Sequence, residues 1–166
     1  MRCYVLMGVS GCGKSSVGEQ MASRVGMTFI DGDHLHPITN IDKMTRGEPL
    51  TDEDRIPWLE KVGDALSQTP GPVAIGCSAL KRTYRDVIRA RAAEPVAFVH
   101  LDAAEHVLAS RVRERAGHFM PPSLLPSQFH ALEFLADSEI GIRIDIDQPF
   151  ERVVGDTEKY VRETIA

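Results

Sequence analysis

Residues 8–15 have the sequence Gly8-Val9-Ser10-Gly11-Cys12-Gly13-Lys14-Ser15, which matches the pattern G-x-x-x-x-G-K-S/T. The motif follows a short apolar stretch, residues 4–7, and precedes an amphipathic stretch, Lys14–Val25. It therefore lies between a predicted strand and a predicted helix. Glycines let successive backbone N–H groups converge without Cβ interference, and the helix start adds its positive dipole end. The stretch predicts a loop that binds nucleotide phosphates.

Each residue type in this loop has a role in holding ATP. Lys14 would reach the β- and γ-phosphates and act as a catalytic residue, while the Ser15 hydroxyl would coordinate Mg²⁺. The predicted nucleotide-binding residues are the loop and the residue after it: Gly8, Val9, Ser10, Gly11, Cys12, Gly13, Lys14, Ser15 and Ser16.

Two other nucleotide-binding classes fit this sequence poorly. The dinucleotide fingerprint G-x-G-x-x-G would need a glycine at position 16, where Ser16 stands. A GTPase would need an Asn-Lys-x-Asp motif, and Asn40 is the single asparagine of the chain.

Apolar runs alternate with helical patterns along the whole chain. Strands separated by helices predict an α/β fold, with right-handed crossovers and a parallel sheet covered on both faces. The predicted strands are residues 4–7, 28–31, 73–77, 96–101 and 141–146. The predicted helices are residues 14–25, 51–68, 80–91, 105–115 and 150–165. Ligands of such sheets bind at the carboxyl ends of the strands.

Composition bounds the possible partners. The chain has 166 residues and a net charge of −5, which favours one domain over residues 1–166. No stretch approaches the ~18 uncharged apolar residues of a membrane span, and the basic excess of a nucleic-acid binder is missing. The three cysteines are odd in number and lack metal-binding spacing, which favours reduced thiols and the cytoplasm. Residues 81–115 carry eight basic and five acidic side chains, a balance that suggests a site for a small anion.

Asp31 and Asp33 follow the second predicted strand, next to the phosphate loop. Residues two apart in an extended segment point the same way, so both carboxylates can face one cleft. One would accept a proton from a substrate hydroxyl and help to hold Mg²⁺ through water. Asp33 is the predicted catalytic and metal-side residue. The alternative for both aspartates is a role in a turn or a helix cap, and this alternative is stronger for Asp31 than for Asp33. His34 and His36 lack a third metal ligand and predict hydrogen bonding rather than zinc binding.

Several further segments resemble the gluconokinase family. They occur in the same order as in the family, and together they are far more specific to it than the phosphate loop is. They are DGDHLHP (31–37), NIDKM (40–44), GEPL (47–50), DEDRIPWL (52–59), CSALKRTYRD (77–86), GHFMP (117–121) and LLPSQF (124–129).

The resemblance implies an ATP-dependent kinase that phosphorylates D-gluconate on its 6-hydroxyl. The implied fold is a P-loop NTPase three-layer sandwich of the nucleoside-monophosphate-kinase group. It has a five-stranded parallel sheet flanked by helices and a mobile lid at approximately residues 111–130. The resemblance also suggests a homodimer. The alternatives are another small-molecule kinase of this fold, shikimate-like or acting on nucleotides, and a nucleotide-binding sensor without catalysis.

Gluconate carries one carboxylate and five hydroxyls, so its pocket is expected to hold cations and polar groups. Lys81, Arg85 and Arg89 recur at i, i+4 and i+8 on one predicted helix face. Lys81 and Arg85 are nearest the helix start and are the preferred ligands, while Arg89 is expected at the surface. The other predicted substrate-binding residues lie in the family-like segments: Asp33, Lys43, Arg55, His118 and Gln128.

Arg111 and Arg115 lie one turn apart on a predicted helix before the proline- and glycine-containing lid. An arginine brought onto the transferred phosphoryl group contributes about 10³–10⁵ in rate. The resemblance assigns Arg111 to stacking on adenine, which leaves Arg115 for the phosphates, with Arg113 as a competitor. Residues 147–149, after the last strand, are a predicted adenine loop.

Overall fold

The computed structural model describes residues 1–114 and 122–165. Within this part, five strands form one parallel sheet in the order β2-β3-β1-β4-β5. The strands are β1 (Cys3–Met7), β2 (Thr28–Asp31), β3 (Val73–Gly76), β4 (Val96–Asp102) and β5 (Gly141–Asp145). The helices are α1 (Lys14–Val25), α2 (Ile38–Thr45), α3 (Asp52–Gln68), α4 (Arg82–Arg91), α5 (Glu105–Glu114), α6 (Leu125–Ala131) and α7 (Phe150–Thr164).

Helices cover both faces of the sheet. Helices α1, α5 and α7 pack on one face through side chains such as Met21, Leu108 and Val154. Helices α3 and α4 pack on the other through side chains such as Leu59 and Ile88. All five residues of β1 are buried, as expected for a central strand with a helical layer on each side. The predicted α/β three-layer sandwich with a five-stranded parallel sheet is confirmed.

The N-terminus of α3 lies where its capping residues predict it. The Thr51 hydroxyl accepts a hydrogen bond from the Asp54 backbone N–H (3.1 Å), and the Asp54 carboxylate accepts one from the Thr51 N–H (2.8 Å). This reciprocal pair is a capping box. It fixes the start of the helix that carries Arg55 and Trp58.

Helix α4 begins at Arg82, two residues later than predicted, because Lys81 keeps an extended conformation. Two helices were not predicted at all, α2 and α6. Both are short, with eight and seven residues, and such lengths are not stable on local propensity alone. Tertiary packing of buried residues such as Met44 and Leu125 provides the stability that the local sequence of these helices lacks.

Across the described ranges, no helix combines the length and the apolar character needed to cross a bilayer.

Candidate active site

The loop between β1 and α1 wraps around the Lys14 ammonium group. Nζ donates to the carbonyl oxygens of Gly8 (3.0 Å) and Val9 (3.2 Å) and lies 3.7 Å from Cys12 Sγ. Gly8 has φ 144°, and a Cβ there would lie 2.6 Å from the Leu101 carbonyl oxygen, so position 8 requires glycine. The loop is thus tightly wound, with its lysine held inside it.

Asp31 links this loop to the end of β2. The Ser15 hydroxyl donates to Asp31 Oδ2 (3.0 Å), and Asp31 Oδ1 accepts from the Asp33 backbone N–H (3.0 Å). The second bond caps a 3-10 turn, Gly32–Leu35. The sequence predicted the metal-side role for Asp33. In the structure Asp31 contacts Ser15, so Asp31 combines the capping role with a place beside the predicted magnesium ligand.

Trp58 of α3 fixes the turn that carries Asp33. Its indole Nε1 donates to the Gly32 carbonyl oxygen (2.8 Å), and the Trp58 side chain is buried. A Cβ on Gly32 would lie 2.2 Å from the Gly76 carbonyl oxygen, so the turn is pressed against the end of β3. Asp33 is thereby held at the carboxyl edge of the sheet.

Phosphate loop and turn share one cleft of about 400 Å³, a size typical of small-ligand sites. Its nucleotide side is formed by Ser10, Gly11, Gly13, Lys14, Ser15, Ser16, Arg111 and Glu114. Its other side is formed by Asp33, His36, Met44, Leu50, Arg55, Trp58, Ser78, Leu80 and Gln128. The structure thus brings six of the nine predicted loop residues together with Asp33, Arg55, Gln128 and Arg111. The other three, Gly8, Val9 and Cys12, do not line the cleft, and the Val9 and Cys12 side chains are buried in the core.

Arg55 is the predicted acceptor-site cation that reaches this cleft. Its guanidinium lies 5.2 Å from the ring centroid of Tyr84 and donates to the Leu50 carbonyl oxygen. Lys81 approaches the same ring from 5.5 Å, with Nζ 3.4 Å from an Asp52 carboxylate oxygen. Lys81 is not among the residues that line the cleft.

Lys43 likewise does not line the cleft. Its Nζ donates to Asp54 Oδ2 at 2.7 Å, and this bond is the main reason that the pKa of Asp54 falls to about 2. Lys43 and Lys81 therefore each lie next to a carboxylate, outside the lining of the cleft.

Arg85 was predicted to bind gluconate, and its position corrects that prediction. The side chain is fully buried, and its guanidinium pairs with both carboxylate oxygens of Glu139 (2.7 and 2.8 Å). It also donates to the carbonyl oxygens of Ala79 (3.0 Å) and Leu80 (3.1 Å). Its donors are therefore used inside the protein. Arg89 contacts Glu139 as well (3.0 Å) and is partly exposed.

Both ends of the predicted lid also contribute residues to the cleft. Gln128 of α6 accepts the Ser10 backbone N–H through Oε1 (2.6 Å). Arg111 donates to the Ile146 carbonyl oxygen (2.9 Å), next to the predicted adenine loop. Leu124 forms a buried cluster with Met44 and Leu50, two residues that line the acceptor side of the cleft.

Arg115 and His118, the predicted phosphate-binding lid arginine and a predicted substrate ligand, lie outside the described residues.

Two buried histidines have lowered pKa values. Burial lowers the pKa of His36, at the cleft, to about 4, with Arg55 acting in the same direction and Asp33 opposing it. Burial also lowers the pKa of His100, on β4, to about 4, helped by Arg143 and Arg85. Both imidazoles are therefore neutral at pH 7. The sequence predicted hydrogen bonding for His36 but no place in the site for His36, Trp58 or Asn40, although all three lie in the family-like segments.

Comparison with known proteins identifies the chain's relatives. The shikimate kinase family model matches residues 10–123. Thermosensitive gluconokinase of Escherichia coli (strain K12) is 47% identical over 154 residues, covering 90% of this chain and 82% of that protein. A crystal structure of a gluconokinase from Sinorhizobium meliloti 1021 has a TM-score of 0.89 and 46% identity, covering 99% of this chain and 93% of that chain. The chain belongs to the gluconokinase family.

The similarity to the gluconokinase structure extends over nearly the whole chain. The crystal structure of shikimate kinase from Aquifex aeolicus vf5 has a TM-score of 0.63 but only 18% identity, so it shares the fold alone. The chain thus carries a shikimate-kinase-type domain, and its sequence is that of a gluconokinase-family kinase. The resemblance predicted from the motifs is confirmed, and the shikimate-like alternative is not favoured.

Proposed function

We propose that this protein transfers the γ-phosphoryl group of ATP to the 6-hydroxyl of D-gluconate, giving 6-phospho-D-gluconate and ADP. The observation that carries the proposal is the shared cleft. It joins a phosphate loop with Lys14 and Ser15 to an acceptor side with Asp33 and Arg55. A sensor that only binds nucleotide would not need a carboxylate and a second cation on the acceptor side.

The acceptor side suits a linear sugar acid. Arg55 offers a planar pair of N–H donors to the substrate carboxylate, the geometry in which arginine binds carboxylates best. The cleft has more apolar wall than the chemistry of gluconate predicts, formed by Met44, Leu50 and Leu80. These side chains pack against the carbon chain while polar groups bind the hydroxyls. Asp33, Lys43, Lys81 and Gln128 are proposed to contribute at this side, Lys43 and Lys81 from outside the lining of the cleft, and His118 from outside the described residues.

Asp33 is the proposed catalytic base. The oxygen of the 6-hydroxyl attacks the γ-phosphorus, the bond to the β–γ bridging oxygen breaks, and the hydroxyl proton passes to the Asp33 carboxylate. Lys14 leaves its carbonyl contacts with Gly8 and Val9 to neutralise the β- and γ-phosphate oxygens. Loop N–H groups and the start of α1 orient the phosphates, and Arg111 is proposed to stack on adenine. Arg115 is proposed to reach the transferred phosphoryl group.

The residues beside the loop fit a magnesium ion. Mg²⁺ prefers oxygen ligands and keeps waters and substrate phosphates in its shell. Ser15 Oγ and Asp31 Oδ2, 3.0 Å apart, offer such oxygens. Ser15 would bind the ion directly, with Asp31 and Asp33 acting through water. When bound, Mg²⁺ supplies charge neutralisation to the β- and γ-phosphates.

Further parts of the proposal concern the whole chain. Residues 1–166 act as one kinase domain, with residues 111–130 as the lid. The protein works in the cytoplasm, needs no nucleic acid or membrane, and forms a homodimer.

The test is a coupled assay of ADP release with a substrate panel of gluconate, shikimate and AMP. Gluconate should be the preferred acceptor, and a higher kcat/KM for shikimate or AMP would overturn the assignment. ATP binding without turnover at saturating gluconate would favour the sensor.

Asp33→Asn tests the mechanism within the same assay. The variant should lower kcat at least ~10²-fold, because general base catalysis contributes about 10²–10⁴. ATP affinity should be retained, as measured by calorimetric titration. Near-normal turnover would remove Asp33 from the mechanism.

A further inference from the structure

His36 is held between two side chains at the acceptor side of the cleft. Its ring stacks on Trp58 with centroids 3.8 Å apart and an angle of 17° between the planes. Its Nδ1 lies 3.4 Å from Asn40 Nδ2. His36 and Asn40 are 9% and 3% exposed, so both are fixed by packing while His36 still borders the cleft.

The Asn40 contacts determine which ring nitrogen of His36 carries the proton. Asn40 donates to the Asp54 backbone carbonyl oxygen at 2.8 Å. Because a carbonyl oxygen only accepts, the Asn40 atom at this position must be the NH₂ group. The same NH₂ group faces His36 Nδ1, which must therefore accept. In the neutral ring, the proton is then on Nε2.

Neutrality of this ring matters for the neighbouring carboxylate. Among the described residues, Asp33 and Arg55 are the charged groups that act on His36. An imidazolium at this place would attract the Asp33 carboxylate and lower its basicity. A neutral ring donates a hydrogen bond without that cost. Burial and Arg55 both favour the neutral form.

We propose that His36 is a gluconate-binding residue whose Nε2–H, set by Asn40 and by stacking on Trp58, donates to a substrate hydroxyl oxygen beside Asp33. The inference rests on the proposed function and deepens it. It assigns one hydroxyl contact of the substrate to a neutral donor, whereas Arg55 takes the carboxylate. Asn40 acts as a positioning residue, because it contacts His36 rather than the substrate.

Two substitutions at position 36 distinguish the effect of the hydrogen-bond donor from that of the aromatic ring. His36→Phe keeps a planar ring against Trp58 and removes the donor. His36→Gln loses the ring, but its amide nitrogen reaches about the place of Nε2 and donates. The phenylalanine variant should raise the gluconate KM about tenfold or more, with the ATP KM within about twofold of wild type and a melting temperature near wild type. The glutamine variant should recover a gluconate KM within about threefold of wild type.

The opposite pattern would overturn the inference. A phenylalanine variant with unchanged gluconate KM would show that the ring serves packing alone. A glutamine variant as impaired as the phenylalanine variant would show that the hydrogen-bond donor does not determine the gluconate KM.

The tautomer is measured on the unmodified protein, so the inference stays testable if a variant fails to fold. In ¹⁵N-labelled wild type, long-range ¹H–¹⁵N correlation spectra should show His36 protonated on Nε2 and unprotonated on Nδ1 at pH 7. An Nδ1–H tautomer or a doubly protonated ring would contradict the inference. Failure of the proposed function looks different: wild type would not phosphorylate gluconate, whereas failure of this inference leaves wild-type activity intact.

Discussion

Asp31 Oδ2 lies 3.0 Å from the Ser15 hydroxyl, while Oδ1 of the same carboxylate accepts the Asp33 N–H at 3.0 Å. One side chain therefore connects the phosphate loop to the turn that carries the proposed base. Movement of the loop or of the turn would therefore displace the other. Asp31 thus couples the two elements, in addition to capping the turn and lying beside the predicted magnesium ligand.

Asp31→Asn should weaken magnesium binding without unfolding the turn. Asparagine keeps an oxygen for the Asp33 N–H but places an NH₂ group opposite Ser15. Loss of an outer-sphere partner of a metal typically costs 10–100-fold in metal affinity, so the Mg²⁺ concentration for half-maximal rate should rise by about this factor. The measurement is initial rate against Mg²⁺ at saturating substrates. The exposed Asp42→Asn is the control, and an unchanged magnesium curve for Asp31→Asn would contradict the placement.

Arg55→Leu should raise the gluconate KM more than Lys81→Ala does. Arg55 lines the cleft, whereas Lys81 lies beside Asp52 and is not part of the lining. A lost hydrogen bond to a charged group costs about 1.5–3 kcal/mol, so a rise of roughly 10- to 100-fold is expected for Arg55→Leu and less than about threefold for Lys81→Ala. Steady-state kinetics at saturating ATP compares them. A larger effect at Lys81 would return the carboxylate site to the residue that the sequence favoured.

Removal of Arg85 should lower stability rather than substrate affinity. Arg85→Met leaves the Glu139 carboxylate, 2% exposed, without its main partner, and breaking such a buried pair costs about 3–5 kcal/mol. Arg91→Met, in the exposed pair with Asp64, is the matched control and should cost much less. Urea unfolding measures both. Stability near wild type for Arg85→Met, together with a raised gluconate KM, would refute the structural role.

Glu139 gives that ion pair a defined pH dependence. Hydrogen bonding to Arg85 lowers the pKa of Glu139 from 4.5 to about 2. The stabilisation is therefore complete above pH 4.5 and is lost as the pH falls towards 2. Glu139→Gln should be less stable than wild type at pH 7, with a difference that shrinks on acidification below pH 4.5. A difference that is constant with pH would contradict this linkage.

His100→Leu should make stability less sensitive to mild acid. Neither ring nitrogen of His100 has a hydrogen-bond partner among the residues described, and burial lowers the pKa to about 4. Between pH 6.5 and 4 the unfolded chain takes up a proton that the folded protein does not, so wild-type stability falls as the pH falls. Leucine removes this contribution, which amounts to at most about 1.4 kcal/mol per pH unit. Unfolding free energies at pH 7 and pH 5 test it, with exposed His106→Leu as the control. An unchanged pH dependence would contradict the assignment.

Local signals predicted the framework well. The phosphate-loop motif located α1 at Lys14–Val25, and capping residues located the start of α3 at Asp52. These features depend on residues close in sequence, so a single stretch carries them. The alternation of strands and helices likewise predicted the parallel sheet, because few topologies satisfy it.

Side-chain direction at the site was harder to predict. The spacing of Lys81, Arg85 and Arg89 predicted one basic face. However, the late start of α4 leaves Lys81 outside the helix, and Arg85 turns inward to Glu139. Asp31 and Asp33 were treated as neighbours on one strand, but a 3-10 turn begins at Gly32 and separates their roles. Such outcomes depend on partners about fifty residues away, or on turn geometry that periodicity does not encode.

The buried cluster of Leu124, Met44 and Leu50 has a consequence for the timing of turnover. Met44 and Leu50 line the cleft and Leu124, from the predicted lid, packs against them, so opening of the lid would separate these side chains. Separation exposes apolar surface to water, and burying a leucine contributes about 1.5–3 kcal/mol. This free-energy cost slows the opening of the lid and does not affect phosphoryl transfer itself. A smaller residue at position 124 would therefore speed product release and admit water that competes for the phosphoryl group, so gluconate turnover and futile ATP hydrolysis would rise together.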